Sequence, residues 1–234
     1  MFEEVKALLK HTTIYGLGAI LAKAVGFVLI PLYTHYLTPS DYGVLELLDL
    51  TVTVIGMFIN MGITASIFRY YYYYDDPRDK AQVVGTALIF IVGVTMVAVG
   101  CCVFFSDLLS ALIFGSMKYS HYLRLMLISF LLSAIATVPE SFIMAQQRST
   151  VFTTISIGTL IFNVLLNIYV VAILRLGVLG ILWASIAARF LNLCANLALT
   201  LRRMWLKFSS EKAKLMLSYG PVSYTHLRAH ETEA

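Results

Sequence analysis

The sequence predicts an all-α integral membrane protein, a bundle of six transmembrane helices, and three observations carry that prediction. Hydrophobic residues make up 59% of the 234-residue chain and charged residues only 13%. Six apolar runs each reach the length of about 20 residues that a bilayer crossing takes. The short segments between them hold turn residues and most of the charge. Runs of that length do not fit inside a soluble domain of this size, and a chain in lipid must satisfy its own backbone hydrogen bonds, which selects helices.

The first ten residues are charged and amphipathic. The apolar run after them is too long for a signal-peptide core and lacks a small-residue cleavage pattern, so it is expected to stay attached. The predicted spans cover residues 12–37, interrupted by Lys23; 42–68, with Glu46 and Asp49 in its opening turns; 81–105; 121–147, with Arg124 near its start and Glu140 behind Pro139; 151–174; and 178–201, with Arg189 near its middle. The last is read as one helix because no Gly or Pro turn signal surrounds Arg189. Cys101, Cys102 and Cys194 fall within spans, without metal-ligand spacing, and act as small apolar residues.

Lys and Arg in short loops are retained on the cytoplasmic side. With the N-terminus inside, that side holds Lys6, Lys10, Arg69, Arg78, Lys80, Arg148, Arg202, Arg203, Lys207, Lys212 and Lys214, against Lys118, Arg124 and Arg175 outside. The expected location is therefore a cell membrane, multi-pass, with a cytoplasmic N-terminus. The basic balance reads as contact with membrane lipids of the inner leaflet; no nucleic-acid partner is expected, because no basic patch is interleaved with base-stacking aromatics.

Lys23 and Arg189 are the strongest functional signal. A cation at mid-depth costs about 2.5–3.5 kcal/mol on insertion scales, so it faces a cavity, a counter-ion or an anionic ligand. Two at similar depth suggest a cationic cavity for a shared anion, held by charge-assisted hydrogen bonds; the alternative is internal pairing of Lys23 with Asp49 or of Arg189 with Glu140. Arg189, Asn192 and Asn196 stand at i, i+3 and i+7 on one helix face, and Asn163 and Asn167 share a face of the fifth span. These stripes read either as sugar contacts or as interhelical hydrogen bonding. Glu140, Asp49 and Glu46 are the candidate ion-coupling groups, against the readings of structural ion pair for Glu140 and helix N-terminal acid for Glu46. The tyrosines 70–74 mark a headgroup-level belt, and Pro31 late in the first helix is a candidate kink.

The stretch Thr34-His35-Tyr36-Leu37-Thr38-Pro39-Ser40-Asp41-Tyr42-Gly43 turns the chain between the first two spans. Together with the segment from Gly62 to Tyr70 before an acidic loop, and with Leu176-Gly177-Val178-Leu179-Gly180, it resembles the polysaccharide biosynthesis transporters. These are the O-antigen-type flippases of the multidrug/oligosaccharidyl-lipid/polysaccharide exporter superfamily. The resemblance covers about residues 5–220. It implies an alternating-access transporter of about twelve to fourteen helices in two lobes, with residues 1–217 as the N-terminal six-helix lobe and its cytoplasmic linker. It also implies a polyisoprenyl-diphosphate-linked glycan as cargo, a glycan polymerase as a partner, no enzymatic step and no cofactor. The competing readings are a multidrug exporter of the same superfamily, which would favour intramembrane acids over Lys23 and Arg189, and a membrane glycosyl- or phosphotransferase. The latter needs a metal-binding cluster, which Asp75, Asp76 and Asp79 imitate without a partner His.

Residues 218–234 are expected to be the truncated start of a seventh helix followed by a non-native tail, 222–234, which resembles a translated sequencing adapter. Sequencing the native locus tests this: the reading frame is expected to continue past the codon for Pro221 into a different, apolar sequence, and a stop codon directly after Ala234 contradicts it.

Overall fold

The computed structural model describes residues 27, 29–59 and 62–218. Every regular element among them is helical. Among the described residues, five stretches are long and apolar enough to cross a membrane: Pro39–Tyr73, Pro77–Phe104, Met117–Ala145, Ser149–Ile173 and Gly177–Arg203. They correspond to the second through sixth predicted spans. Most of the first, including Lys23, lies outside the described residues; its end, 29–36 (α1), is helical and contains Pro31.

α2 (Pro39–Ile59) starts at a reciprocal cap. The Thr38 backbone N–H and hydroxyl donate to the Asp41 carboxylate at 2.9 and 2.7 Å, and the Asp41 N–H donates back to the Thr38 hydroxyl at 3.3 Å. That is a Thr-x-x-Asp capping box with Pro39 at the first helical position, where a missing N–H costs nothing. The physical content of the 34–43 motif is thus a helix start as much as a turn. The second predicted span is also not one helix: Gly62, at φ 74°, interrupts it before α3 (Ile63–Tyr73). A left-handed residue cannot continue a right-handed helix, and glycine adopts it without steric penalty.

α4 (Pro77–Phe104) opens on Asp76, whose carboxylate accepts from the Arg78 N–H at 2.8 Å, again with proline at the first position. A short helix absent from the sequence prediction, α5 (Ser106–Phe114), follows it and ends at the left-handed Gly115. Arg124 explains its placement. From the first turns of α6 (Ser120–Ala145), Arg124 donates to the buried Ser106 hydroxyl at 2.6 Å and pairs with Asp107 at 3.0 Å, so the cation reaches partners at the bundle end.

α6 runs on through Pro139 and is the most enclosed span; α8 (Gly177–Thr200) and α4 pack chiefly on it. α7 (Ser149–Ile168) is the most exposed and closes in a π-turn, Tyr169–Ile173. There Val170 and Val171 pack on Leu37, Ile181 and Ala184, and a Cβ on Gly180 would press against Val170. The larger core joins Leu48, Ile67, Val84, Ile91, Leu123, Leu127, Val138 and Leu182 from α2, α3, α4, α6 and α8. Large apolar side chains such as Phe58, Val97, Phe104 and Leu112 stay exposed, the distribution of a bundle whose solvent is hydrocarbon.

After α8 the chain does not trail away. Residues 204–209 lie as a strap along the first turns of the apolar part of α4, and 210–218 form a closing helix, α9. The Trp205 N–H donates to the Ala81 carbonyl at 3.2 Å. Thr86 serves the strap twice: its hydroxyl bonds the Lys207 carbonyl at 3.4 Å and accepts from the Ser209 N–H at 3.3 Å. The buried Lys212 ammonium reaches Asp79 at 2.6 Å and Gln82 at 2.9 Å and stands 4.8 Å from the centre of the Tyr74 ring. Ser66 and Tyr70 of α3 donate to the carbonyls of Met216 and Leu215 at 2.9 and 3.1 Å. The tyrosine belt therefore fastens protein to protein, Tyr72 likewise donating to the Ala145 carbonyl at 2.7 Å.

Gly85 is where strap and helix come closest, because a Cβ there would overlap the Trp205 carbonyl. Gly85→Ala is expected to cost about 1–3 kcal/mol, the usual penalty of overpacking. It should lower the thermal midpoint in detergent and raise hydrogen exchange at residues 204–209; an unchanged midpoint and unchanged exchange contradict the close approach.

Candidate functional site

Arg189 lies about 18 Å along α8 at 1.5 Å per residue, close to the middle of the helix. Its guanidinium donates to the Ser133 hydroxyl of α6 at 2.7 Å. Among the described residues it forms no ion pair, although Asp49 and Glu140 are near enough to be its main electrostatic neighbours. The alternative reading, an Arg189–Glu140 pair, is not what forms: Glu140 accepts from the Asn192 amide at 2.6 Å. One helical turn beyond Arg189, then, an amide occupies the carboxylate, and the guanidinium keeps most of its five N–H donors for other partners.

The same side chain borders two cavities. The first, about 420 Å³, lies between α2, the Gly62 break, α6 and α8, and is lined by Asp49, Thr53, Met57, Met126, Ser129 and Arg189 among others. The buried Ser129 hydroxyl on that wall has no hydrogen-bond partner among the described residues. The second, about 400 Å³, lies between α6, α7 and α8 and carries Glu140, Ser156, Thr159, Asn163, Ser185, Asn192 and Arg189. The walls differ in chemistry. Methionine, valine and phenylalanine accompany the charges in the first, whereas hydroxyls and amides line much of the second.

The asparagine stripes divide into two kinds of position. Asn163 and Asn192 stand on the wall of the second cavity. Asn167 and Asn196, each four residues further on, are fully buried and donate back to them: Asn167 to the Asn163 carbonyl and side chain at 2.9 Å each, Asn196 to the Asn192 carbonyl and side chain at 2.8 and 3.0 Å. Asn167 also accepts from the Tyr33 hydroxyl of α1 at 2.9 Å and so ties α7 to α1. Each pair works as a unit in which the buried amide holds the orientation of the one at the cavity.

Of the candidate coupling groups, Asp49 is exposed on the first cavity, Glu140 is half-buried on the second, and Glu46 is exposed on α2 away from both. Lys23 lies outside the described residues. Three participants escaped the sequence reading: Ser133, Ser129 and Tyr33. Ser133, Thr137 and Glu140 stand at i, i+4 and i+7 on α6, and the periodicity test applied to α8 would have found them; Tyr33 and Ser129 leave no such mark.

Residues 34–226 match the family described as polysaccharide biosynthesis protein. Neither a search of curated proteins nor one of solved structures returned a match.

The Tyr33–Asn167 bond is measurable as a coupling energy. A double-mutant cycle of Tyr33→Phe and Asn167→Ala in detergent is expected to give about 0.6–1.7 kcal/mol, the range found for polar contacts between membrane helices. A coupling near zero contradicts the tie between α1 and α7.

Proposed function

The chain belongs to the polysaccharide biosynthesis protein family, and from that premise we propose that it is the cavity-forming lobe of a flippase. The cargo is a polyisoprenyl-diphosphate-linked glycan, moved from the inner to the outer leaflet for surface glycan assembly, and no covalent step is involved. The strap end, with its basic residues, faces the cytoplasm, in keeping with the retention of positive charge on that side.

The observation that carries this reading is Arg189 at the junction of two cavities, anchored by Ser133 and with its carboxylate neighbours outside ion-pair range. A diphosphate crossing hydrocarbon loses its hydration, and a guanidinium replaces part of it with bidentate, charge-assisted hydrogen bonds that are stronger where the dielectric is low. Because Asn192 occupies Glu140, the cation is not quenched before cargo arrives. The diphosphate passes Arg189 while glycan hydroxyls meet Asn163, Asn192 and the serines and threonine of the second cavity. Asn167 and Asn196 hold those two amides, and the apolar side of the first cavity receives the isoprenoid next to the headgroup. Lys23 supplies a second cation to the same anion.

Asp49 and Glu140 flank Arg189 from the two cavities. Departure of the anion leaves the cation to the carboxylates, and ion uptake by one of them resets the site; Glu46, which lines neither cavity, is left as an acid near the start of α2. A glycan polymerase is the partner that consumes the delivered precursor. A multidrug exporter would present acids to a cation without an arginine between them, and a transferase would bring its acids together at one membrane face.

The test is export in the native host. Arg189→Ala and Lys23→Ala are each expected to lower surface-glycan export by about tenfold or more, the effect of losing a charged hydrogen bond worth about 1.5–3 kcal/mol. Arg189→Lys should recover export only in part, because the bidentate fork is lost. Protein level is followed by immunoblot; parental export in Arg189→Ala at parental level contradicts the assignment.

A further inference from the structure

The strap has a property that cargo transport does not use. Its backbone runs beside Ala81–Thr86 of α4, which at 1.5 Å per residue is roughly 6–14 Å inside the helix from Pro77. The charged residues Arg78, Asp79 and Lys80 precede that stretch and the apolar run of α4 begins with it. Residues 204–209 therefore lie at the depth where headgroups give way to acyl chains. Non-helical backbone is tolerated there where protein takes up its polar groups, and α4 takes up three of them: the Trp205 N–H at the Ala81 carbonyl, and the Lys207 carbonyl and the Ser209 N–H at the Thr86 hydroxyl.

Met204 is buried in the core, and the side chains that follow it turn the other way. Trp205, Leu206 and Phe208 are 45%, 55% and 49% exposed, beside the exposed Arg202, Arg203 and Lys207. The Lys207 ammonium stands 5.7 Å from the centre of the Trp205 ring. An apolar wedge carrying an indole, set among three cations at interfacial depth, complements one kind of surface: apolar below, anionic above. Lys212, buried against Asp79, Gln82 and Tyr74, contributes to holding the segment in place and is spent on the protein rather than on lipid.

The geometry points to residues 201–208 as an interfacial anchor that recognises anionic lipid of the inner leaflet, the wedge entering the acyl boundary while Arg202, Arg203 and Lys207 bind phosphate headgroups. This site is separate from Arg189. It fixes the end of α8 and the strap to the bilayer surface and makes the surrounding lipid composition a determinant of that end of the bundle.

The chain contains two tryptophans, so Trp183→Phe leaves Trp205 as the only indole. The purified chain is reconstituted in vesicles of phosphatidylcholine and phosphatidylglycerol in which one lipid or the other is brominated high on its acyl chains. Trp205 emission is expected to be quenched by both, and at least about twice as strongly when the brominated lipid is phosphatidylglycerol. Arg202→Gln, Arg203→Gln and Lys207→Gln together should remove that preference and leave the phosphatidylcholine quenching. Should Trp183→Phe fail to fold, the quenching lost between the parent and Trp205→Phe reports the same quantity. Absence of quenching, the result if the wedge faces water, a second copy or other protein, overturns the anchor. Equal quenching by the two lipids in the parent overturns the recognition of anionic headgroups.

Discussion

A charged side chain half-way through a membrane helix constrains everything around it. Arg189 cannot face acyl chains at tolerable cost, so α8 must turn it toward α6 and the cavities, and α6 must answer with polar groups of its own. Ser133 and Glu140 do so from one side of α6, seven residues apart, with Asn192 closing the arrangement from α8. The α6–α8 interface, the most extensive in the bundle, thus contains an arginine, a carboxylate and two amides, and the apolar residues Val138 of α6 and Leu182 of α8 belong to the core that surrounds it. The distribution of partners matters as much as their presence. Had Arg189 met Glu140 directly, the pair would close on itself; with Asn192 and Ser133 in between, donor capacity remains at the boundary between two cavities.

The ends of the bundle follow a second constraint, that non-helical backbone near lipid must be covered or bonded. One end solves it with α5 and Arg124, which gathers Ser106 and Asp107. The other solves it with the strap and α9, where Thr86, Lys212, Ser66 and Tyr70 each take up a carbonyl, an N–H or a carboxylate. The polar groups that fix the ends lie at a distance from Arg189, so the positioning of the spans and the chemistry between them are physically distinct parts of one structure.

The spans were legible because membrane length and apolar runs are strong signals: predicted and observed boundaries of α4, α6, α7 and α8 agree within a few residues. Two features of the fold were not. Gly62 takes a positive φ inside the second span, and nothing in hydropathy separates a glycine that packs from one that breaks a helix. The strap looked like a linker because its sequence is mixed, and what docks it is a set of partners more than a hundred residues away, Thr86 with Lys207 and Ser66 with Met216. At the site, helical spacing correctly paired Asn163 with Asn167 and Asn192 with Asn196. It did not tell which member of each pair faces a cavity, nor that Asn192 and not Arg189 holds Glu140, since those depend on the rotation of α8 against α6.

The claim at the centre is that Arg189 recognises a diphosphate on an isoprenoid. Its most direct measure is the affinity of the purified, detergent-solubilised chain for a polyisoprenyl diphosphate compared with the uncharged polyisoprenol, followed by native mass spectrometry for the parent and for Arg189→Ala. The account predicts that the parent prefers the diphosphate by about tenfold or more, as expected for one charge-assisted contact in a low-dielectric site, and that Arg189→Ala abolishes the preference while retaining affinity for the alcohol. Equal affinity of the parent for the two lipids, or an undiminished preference in Arg189→Ala, would contradict it.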